Sequence, residues 1–474
     1  MQEKLITRKV ILSLAGVVAA AAFAPEASAL PAFARQVGRA CNACHAQHFP
    51  VLNAYGRDFK ASGYTLMGSQ GKVKDEHLSI PNTLNAAVLL KIRYQKDNTA
   101  GTPNTQIAPT TPGNGQWQFG DEASLFFGGR VADNVGFLLE GNLANQVAAG
   151  NNVTAVAPVA GVCPAGTTAT PPAPAVPTSC LGAAPANGVG GTGGLMAGLK
   201  VPFLFNVGDF KLGVVPFTTD ALGVQYGYEL SSGGVLRANR WSEHRRETSA
   251  VQYNAEQGPD AGAATGLSFV ARNDLGFINI TKWTPSFLPG GNGGGVPSTN
   301  FGNNYVRIAA TPTVGDWSFV GGVGVMSGSG YANIAALQVL TKETFVDFQA
   351  QGMVGGKELS VYAQYATAPA STLVGVINAY NANPMTRRAF TIGADYSVIP
   401  HVLHIGAAYR NAKNGKLPVV GGAGDQDNAI TLNAVYDLYQ NVALVVNHSR
   451  YSGSAYNVPA PKKHLTTFMM EGSW

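Results

Sequence analysis

The sequence predicts a mainly β protein: an antiparallel transmembrane β-barrel of about sixteen strands, led by a small α-helical N-terminal domain. Three observations carry this reading. Polar and apolar residues interleave through most of the 474 residues, only 12% are charged and 58 are glycine; beyond the N-terminus there is no apolar run of about eighteen residues, the length a membrane helix needs. From about residue 84 extended segments are separated by alternating short and long connections, as in a barrel with tight turns at one end and large loops at the other. The last residues, Phe468, Met470, Gly472 and Trp474, alternate up to a terminal aromatic, as outer-membrane barrel chains commonly end.

Residues 1–29 read as an export signal peptide. Lys4, Arg8 and Lys9 give the positive start, Val10 to Phe23 the apolar region, and Ala27-Ser28-Ala29 a small-residue cleavage site. An uncleaved anchor is the weaker reading because the apolar stretch is short. Removing this segment takes away three positive and two negative side chains, so the net charge falls from +5 to +4. That bias is too small to point to nucleic acid, and neither a basic cluster nor an aromatic stacking module is present.

Residues 30–80 form the expected helical domain, centred on Cys41-Asn42-Ala43-Cys44-His45. This spacing matches attachment of one covalently bound haem c: two thiols on one side of a short turn form thioethers, and the adjacent imidazole reaches the iron. A redox dithiol or half a zinc site fits less well, given the following His, the export signal and the lack of a second cysteine pair at zinc spacing. The second axial ligand is open. His48 shares a helical face with His45 and cannot reach across the iron. Met67 is the first candidate, with packing as its competing role, His77 the second, and an unliganded sixth position the third.

Residues 81–474 form the expected barrel. Short turns are read near Ala132 to Val135, Asn206 to Asp209, Arg272 to Leu275, Val314 to Asp316, Gly355 to Lys357, Ile399 to His401 and Leu438 to Asn441, most carrying Asn, Asp, Gly or Pro. Seven hairpins with a first strand near 84–97 and a last near 464–474 make sixteen, an even number that leaves both ends on one side. Eight long connections remain, about 98–116, 148–192, 218–262, 285–303, 327–341, 369–385, 414–426 and 453–463. The third contains Gln225 to Glu229 and Ala250 to Tyr253, which would raise the count to eighteen if they form another hairpin.

Side-chain alternation assigns faces. Lys91, Arg93 and Gln95 point inward against Val88, Leu90, Ile92 and Tyr94; Glu343, Asp347, Gln349 and Gln351 share a face; Glu358, Ser360, Tyr362 and Gln364 oppose Leu359, Val361, Ala363 and Tyr365. A soluble β-sandwich would alternate similarly. The stretch 148–192 is too rich in Ala, Pro, Gly and Thr to build a core. Cys163 and Cys180 inside it are expected to close an outer loop with a structural disulfide.

The mature sequence resembles the outer-membrane monohaem c-type cytochrome-porin fusions of iron-oxidising bacteria. The resemblance is carried by Pro31-Ala32-Phe33-Ala34-Arg35-Gln36, by Cys41 to His45, and by Phe49-Pro50-x-Leu52-Asn53-x-x-Gly56-Arg57-x-Phe59-Lys60-x-x-Gly63-Tyr64; the barrel matches only in architecture. It implies a haem domain plugging the periplasmic side of the barrel, extracellular Fe(II) as electron donor, a periplasmic c-type cytochrome as acceptor, and outer-membrane lipid around the wall. The activity implied is that of an iron:cytochrome c oxidoreductase, with outer-sphere transfer and no catalytic residue beyond the haem ligands. Outer-loop carboxylates such as Asp260, Asp425 and Asp427 are weighed as collectors of Fe(II) against ordinary solvated loop charges. The aromatic residues suit a lipid-interface girdle better than an electron relay. Two other functions are kept: a diffusion porin with a haem-containing plug or gate, and a conduit for another extracellular donor or acceptor.

Overall fold

The computed structural model of the chain describes residues 31–46, 51–76, 78–98, 115–143, 196–219, 223–229, 264–284, 287, 301–331, 338–371, 376–378, 380–381, 383–459 and 463–474. The expected signal peptide at 1–29, His48, His77, the Cys163–Cys180 pair and Asp260 lie outside these residues.

The N-terminal domain starts with helix α1 (Pro31–Val37), a 3-10 turn (Cys41–Ala43) and helix α2 (Ala54–Ala61). Helix α1 stops at Gly38, whose φ of +66° breaks the helical path. Helix α2 starts at Asn53, whose side chain accepts the Gly56 N–H at 3.0 Å, satisfying one of the helix's unpaired first-turn donors. It ends in two left-handed residues, Gly63 and Tyr64. An antiparallel hairpin follows, β1 (Lys72–Asp75) with β2 (Leu78–Pro81), which the helical reading of this domain did not foresee.

Residues 82–85 lead into β3 (Ala86–Asp97). Then come β4 (Gln116–Ala132), β5 (Val135–Asn142), β6 (Met196–Lys200), β7 (Phe203–Val207), β8 (Phe210–Thr219), β9 (Ala264–Asn273), β10 (Gly276–Thr284), β11 (Asn303–Ala310), β12 (Thr313–Val314), β13 (Trp317–Tyr331) and β14 (Gln338–Leu340). The last are β15 (Glu343–Val354), β16 (Lys357–Ala368), β17 (Val376–Asn378), β18 (Arg387–Ile399), β19 (Leu403–Lys413), β20 (Asn428–Tyr439), β21 (Val442–Ser452) and β22 (His464–Ser473).

From β3 onward the strands form one closed barrel. Among the described residues it has sixteen staves: β6 and β7 share one, interrupted at Pro202, β12 continues β11, and β14 and β17 are short additions paired in parallel. Closure joins β22 to β3, and the N–H and C=O of Trp474 exchange bonds of 3.0 and 2.8 Å with those of Val88. Closure removes the exposed edges that an open sheet would leave.

All seven short turns fall where the sequence placed them. Gly208, Gly315, Gly355 and Gly356 supply positive φ at three of them. The alternation is also as read: in β3 Lys91, Arg93, Gln95 and Asp97 are buried, while in β15 Glu343, Asp347, Gln349 and Gln351 are. The outer face is apolar, with Ile405, Ile430, Leu432, Leu444, Phe468 and Met470 exposed; the inner face buries Thr391, Arg410, Thr431, Asn447 and Thr467. This inverted pattern suits hydrocarbon outside and a polar lumen within. Outward Trp117 and Phe119, exposed on β4, stack at 5.8 Å, as an aromatic girdle would.

The eighteen-strand option is overturned. Residues 223–229 form a 3-10 turn (Val224–Gly227) folded into the lumen, with Tyr226 and Tyr228 buried, rather than a wall strand. The Lys200 ammonium donates to the Tyr226 carbonyl at 3.0 Å. Glu229 binds Arg307 and accepts from Tyr305 and Asn279, and Arg307 also binds Asp347 at 2.7 Å. Aromatic alternation looked like a strand because these rings are buried against the inside of one.

Candidate functional site

The N-terminal domain sits in the end of the barrel that carries the short turns. Its seat on β3, β4 and β5 is apolar: Ala32, Val37, Phe59 and Tyr64 pack with Ala87, Leu89, Phe126 and Leu138. Phe33 stacks on Tyr64 with ring centroids 5.0 Å apart, and Phe59 meets both rings edge-on. The close approach needs bare backbone in the wall, since a Cβ on Gly136 would overlap the Gly63 carbonyl oxygen.

Gln36 is the polar hub of this seat. Its Nε2 donates to the Tyr64 and Leu66 carbonyls at 2.7 and 2.8 Å, and its Oε1 accepts the Arg130 backbone N–H at 3.1 Å. Arg130 also reaches the Thr65 carbonyl at 3.1 Å, while Gly68 donates to the Gln36 carbonyl. Half-buried Met67, the first-choice distal ligand, therefore lies on a segment pinned at the β4 side of the barrel.

Helix α2 holds the domain elsewhere around the mouth. Arg57 donates to the Leu52 carbonyl at 2.9 Å, to Gln351 Oε1 at 2.7 Å and to Ser318; Asp58 pairs with Arg272 at 2.8 Å; Lys60 donates to the Glu229 carbonyl. Through the last contact the plug touches the inward-folded turn.

The Cys41–His45 turn is built on these supports. The N–H groups of Cys44 and His45 both donate to the Cys41 carbonyl at 3.0 Å, which winds the two cysteines onto one short turn. Asn53 clamps it: its N–H donates to the Cys44 carbonyl at 2.9 Å and its Nδ2 to the Ala43 and Asn42 carbonyls at 3.1 and 3.3 Å. Gly56 lets α2 lie against the turn, since a Cβ there would overlap the Cys44 carbonyl oxygen. On the barrel side, the Cys41 N–H donates to Gln440 Oε1 at 3.0 Å, in the turn between β20 and β21. Beyond the turn, Ala46 and Val51 pack on Tyr362 of β16.

Burial shapes the side chains of the turn. The cysteines carry thiols rather than a disulfide, and burial pushes Cys41 up to about 12 and Cys44 up to about 11. Buried His45 has Nδ1 3.2 Å from the Val51 carbonyl; a carbonyl only accepts, so Nδ1 is the donor there and the bond fixes the ring's orientation. Beside Ala46 a cavity of about 330 Å³ opens between the plug and the wall, lined by Asn53, Tyr55, Ser318, Gln351 and Ser360 among others.

Sequence reasoning gave Asn53, Gln36 and Gln440 no role. Asn favours the start of a helix, but nothing local shows that this cap also grips the preceding turn. The outer carboxylates are engaged in structure rather than merely solvated: Asp427 pairs with Arg410 at 2.6 Å and accepts from Tyr456, and Asp425 pairs with Lys413 at 3.0 Å.

No family model and no curated protein matches the chain. Solved structures similar to it are outer-membrane proteins. OmpT of Vibrio cholerae with loop L8 deleted is 13% identical over 83% of this chain and 99% of its own, with a TM-score of 0.40. The outer-membrane channel DcaP of Acinetobacter baumannii is 11% identical over 85% of this chain and 100% of its own, at 0.42. Salmonella typhi OmpF, in complex with daunomycin, is 11% identical over the same shares, at 0.45.

Proposed function

We propose that the chain conducts electrons across the outer membrane, from extracellular Fe(II), its substrate, to a periplasmic c-type cytochrome, with Cys41, Cys44 and His45 holding one covalent haem c. When bound, that group supplies a one-electron Fe(III)/Fe(II) couple. The observation that carries the reading is a CxxCH turn, with Cys41 and His45 buried, clamped by Asn53 and Gln440 inside the mouth of a closed barrel. Short turns face the periplasm in barrels of this kind, so the plug faces it too.

The chain's own residues then have simple tasks. The wall keeps donor and acceptor apart, so poorly soluble Fe(III) stays outside while one electron per Fe(II) crosses. The plug, with Lys60 on Glu229 and Arg57 on Gln351, obstructs solute flow. Asn53 and His45 Nδ1 fix the turn and the imidazole.

Anaerobic stopped-flow mixing of the oxidised, haem-loaded protein with Fe(II) tests this. Reduction of the haem band is expected; none at any tested pH overturns the iron reading and favours another extracellular donor or acceptor.

A second reading, a diffusion porin with a haem-containing plug, is favoured by the ionic lumen, where Lys91 pairs with Glu122 at 2.6 Å and with Glu471 at 3.5 Å. It predicts steady conductance in planar bilayers and solute uptake that survives replacement of His45.

A further inference from the structure

The outward face of the barrel changes character towards the end that carries the long connections. Along that face β21 presents Leu444, Val446, His448 and Arg450, β22 presents Met470, Phe468, Thr466 and His464, and β3 presents Ile92, Tyr94 and Lys96. The lower levels are apolar and then aromatic: the Tyr94 ring lies between those of Trp117 and Phe468, at 5.0 and 6.4 Å between centroids. Above them come Lys96, His448, Arg450 and His464, joined by Lys463 just before β22. From Phe468 to His464 the chain rises by about 13 Å along the strand.

These basic groups converge. Arg450 stands directly opposite His464, and Thr466 stands between His448 on one side and Lys96 on the other. The His448 ring stacks on His464 at 5.7 Å, with its Nδ1 2.9 Å from Thr466 Oγ1. His448, Arg450 and Lys463 all act on His464 electrostatically, and with one sign. Asn98 Oδ1 accepts the N–H groups of Lys463 and His464 at 2.7 and 2.8 Å, which pins the start of β22 to the end of β3. Among the described residues no carboxylate pairs with any of the five basic groups. At the opposite mouth, by contrast, Arg130 pairs with Asp133 and Arg272 with Asp58. Like charges set opposite each other on a sheet destabilise it, so this cluster calls for an anion.

Its position selects the kind of anion. The cluster faces away from the lumen, at headgroup height above the aromatic level, on the side that long connections mark as the exterior. Beside it on β20, exposed Ile430 and Leu432 pair in register with Arg450 and His448, an apolar strip that a free phosphate would leave unused. We propose that this face of β3, β21 and β22 binds an anionic lipid of the outer leaflet through its headgroup phosphates. Lys96, Arg450 and Lys463 supply the charge, the Arg450 fork matches phosphate geometry, and Ile430 and Leu432 take an acyl chain. The lipid then lies across the seam where the last strand meets the first. The site is independent of whether the Cys41–His45 turn carries a haem.

The test uses full-length protein in detergent: wild type, R450A/K463A, K96A, and K72A/K74A as a control on the plug hairpin at the other end, each checked for folding by heat-modifiable migration. Native mass spectrometry follows titration with bisphosphorylated lipid A and with the same lipid dephosphorylated. Wild type should prefer the phosphorylated lipid. R450A/K463A should bind it about thirtyfold more weakly and K96A about fivefold, with K72A/K74A unchanged. Inorganic phosphate at the lipid's own concentration should displace nothing. Equal affinity for the two lipids, displacement by inorganic phosphate, or wild-type binding by R450A/K463A overturns the proposal. So does a lipid-free wild-type oligomer that R450A/K463A reduces to monomer, which would make the face a contact between copies of this chain. If R450A/K463A fails to fold, the wild-type preference and K96A decide.

Discussion

Gln36 Oε1 accepts the Arg130 backbone N–H at 3.1 Å while Gln36 Nε2 serves two carbonyls of the plug's own chain. A single fully buried amide thereby ties α1, the 64–66 segment and strand β4 together. Gln36→Leu keeps the shape and strands those partners, at roughly 1–3 kcal/mol for each group left unsatisfied. The N-terminal domain should become sensitive to limited proteolysis while the barrel stays heat-modifiable; equal protease resistance would contradict the hub role.

Gly56→Ala separates two opposing effects. Within helix α2 the change favours the helix by up to about 1 kcal/mol. Against the Cys44 carbonyl the new Cβ has no room. Displacement of the Cys41–His45 turn should dominate, seen as a lower ratio of covalent haem to protein on stained gels. A rise in thermal stability with unchanged haem content would show that the helix gives way instead.

Asn53 combines a cap with a clamp. Asn53→Ser retains a hydroxyl cap but cannot reach the Asn42 and Ala43 carbonyls, whereas Asn53→Ala loses both at a cap cost of about 1 kcal/mol. Chemical denaturation followed in the Soret band should rank wild type above Ser above Ala, and the Ser variant isolates the clamp.

Arg307 sits between Glu229 and Asp347, all three buried. Arg307→Met leaves two carboxylates buried without their cation, a loss of about 3–5 kcal/mol by analogy with other broken buried pairs. The 223–229 turn should leave the lumen, and single-channel conductance should rise above the wild-type level. Unchanged conductance would mean that the plug alone closes the pore.

Much of the barrel could be read from the chain because its signals are local. Turns at Gly208 or Gly355 need residues that tolerate positive φ, and the pleat forces Lys91, Arg93 and Gln95 onto one face. The contents of the lumen could not be read in this way. Tyr226 and Tyr228 bury their rings whether they stand in a wall or fold inside it, and only contacts far along the chain, such as Glu229 with Arg307, choose between the two. The same holds for the site. Cys41, Cys44 and His45 are singled out by their spacing, whereas the bonds of Gln440 to Cys41 and of Gln36 to Arg130 exist only once the barrel has closed.

The link between plug and barrel is only residues 82–85, between Pro81 and Ala86. Four residues span at most about 14 Å, which keeps a detached plug at an effective concentration on the order of millimolar at its own seat. Docking is therefore a first-order event that dilution cannot weaken. Contacts too feeble to hold two separate chains together are enough here to keep the Cys41–His45 turn in one place.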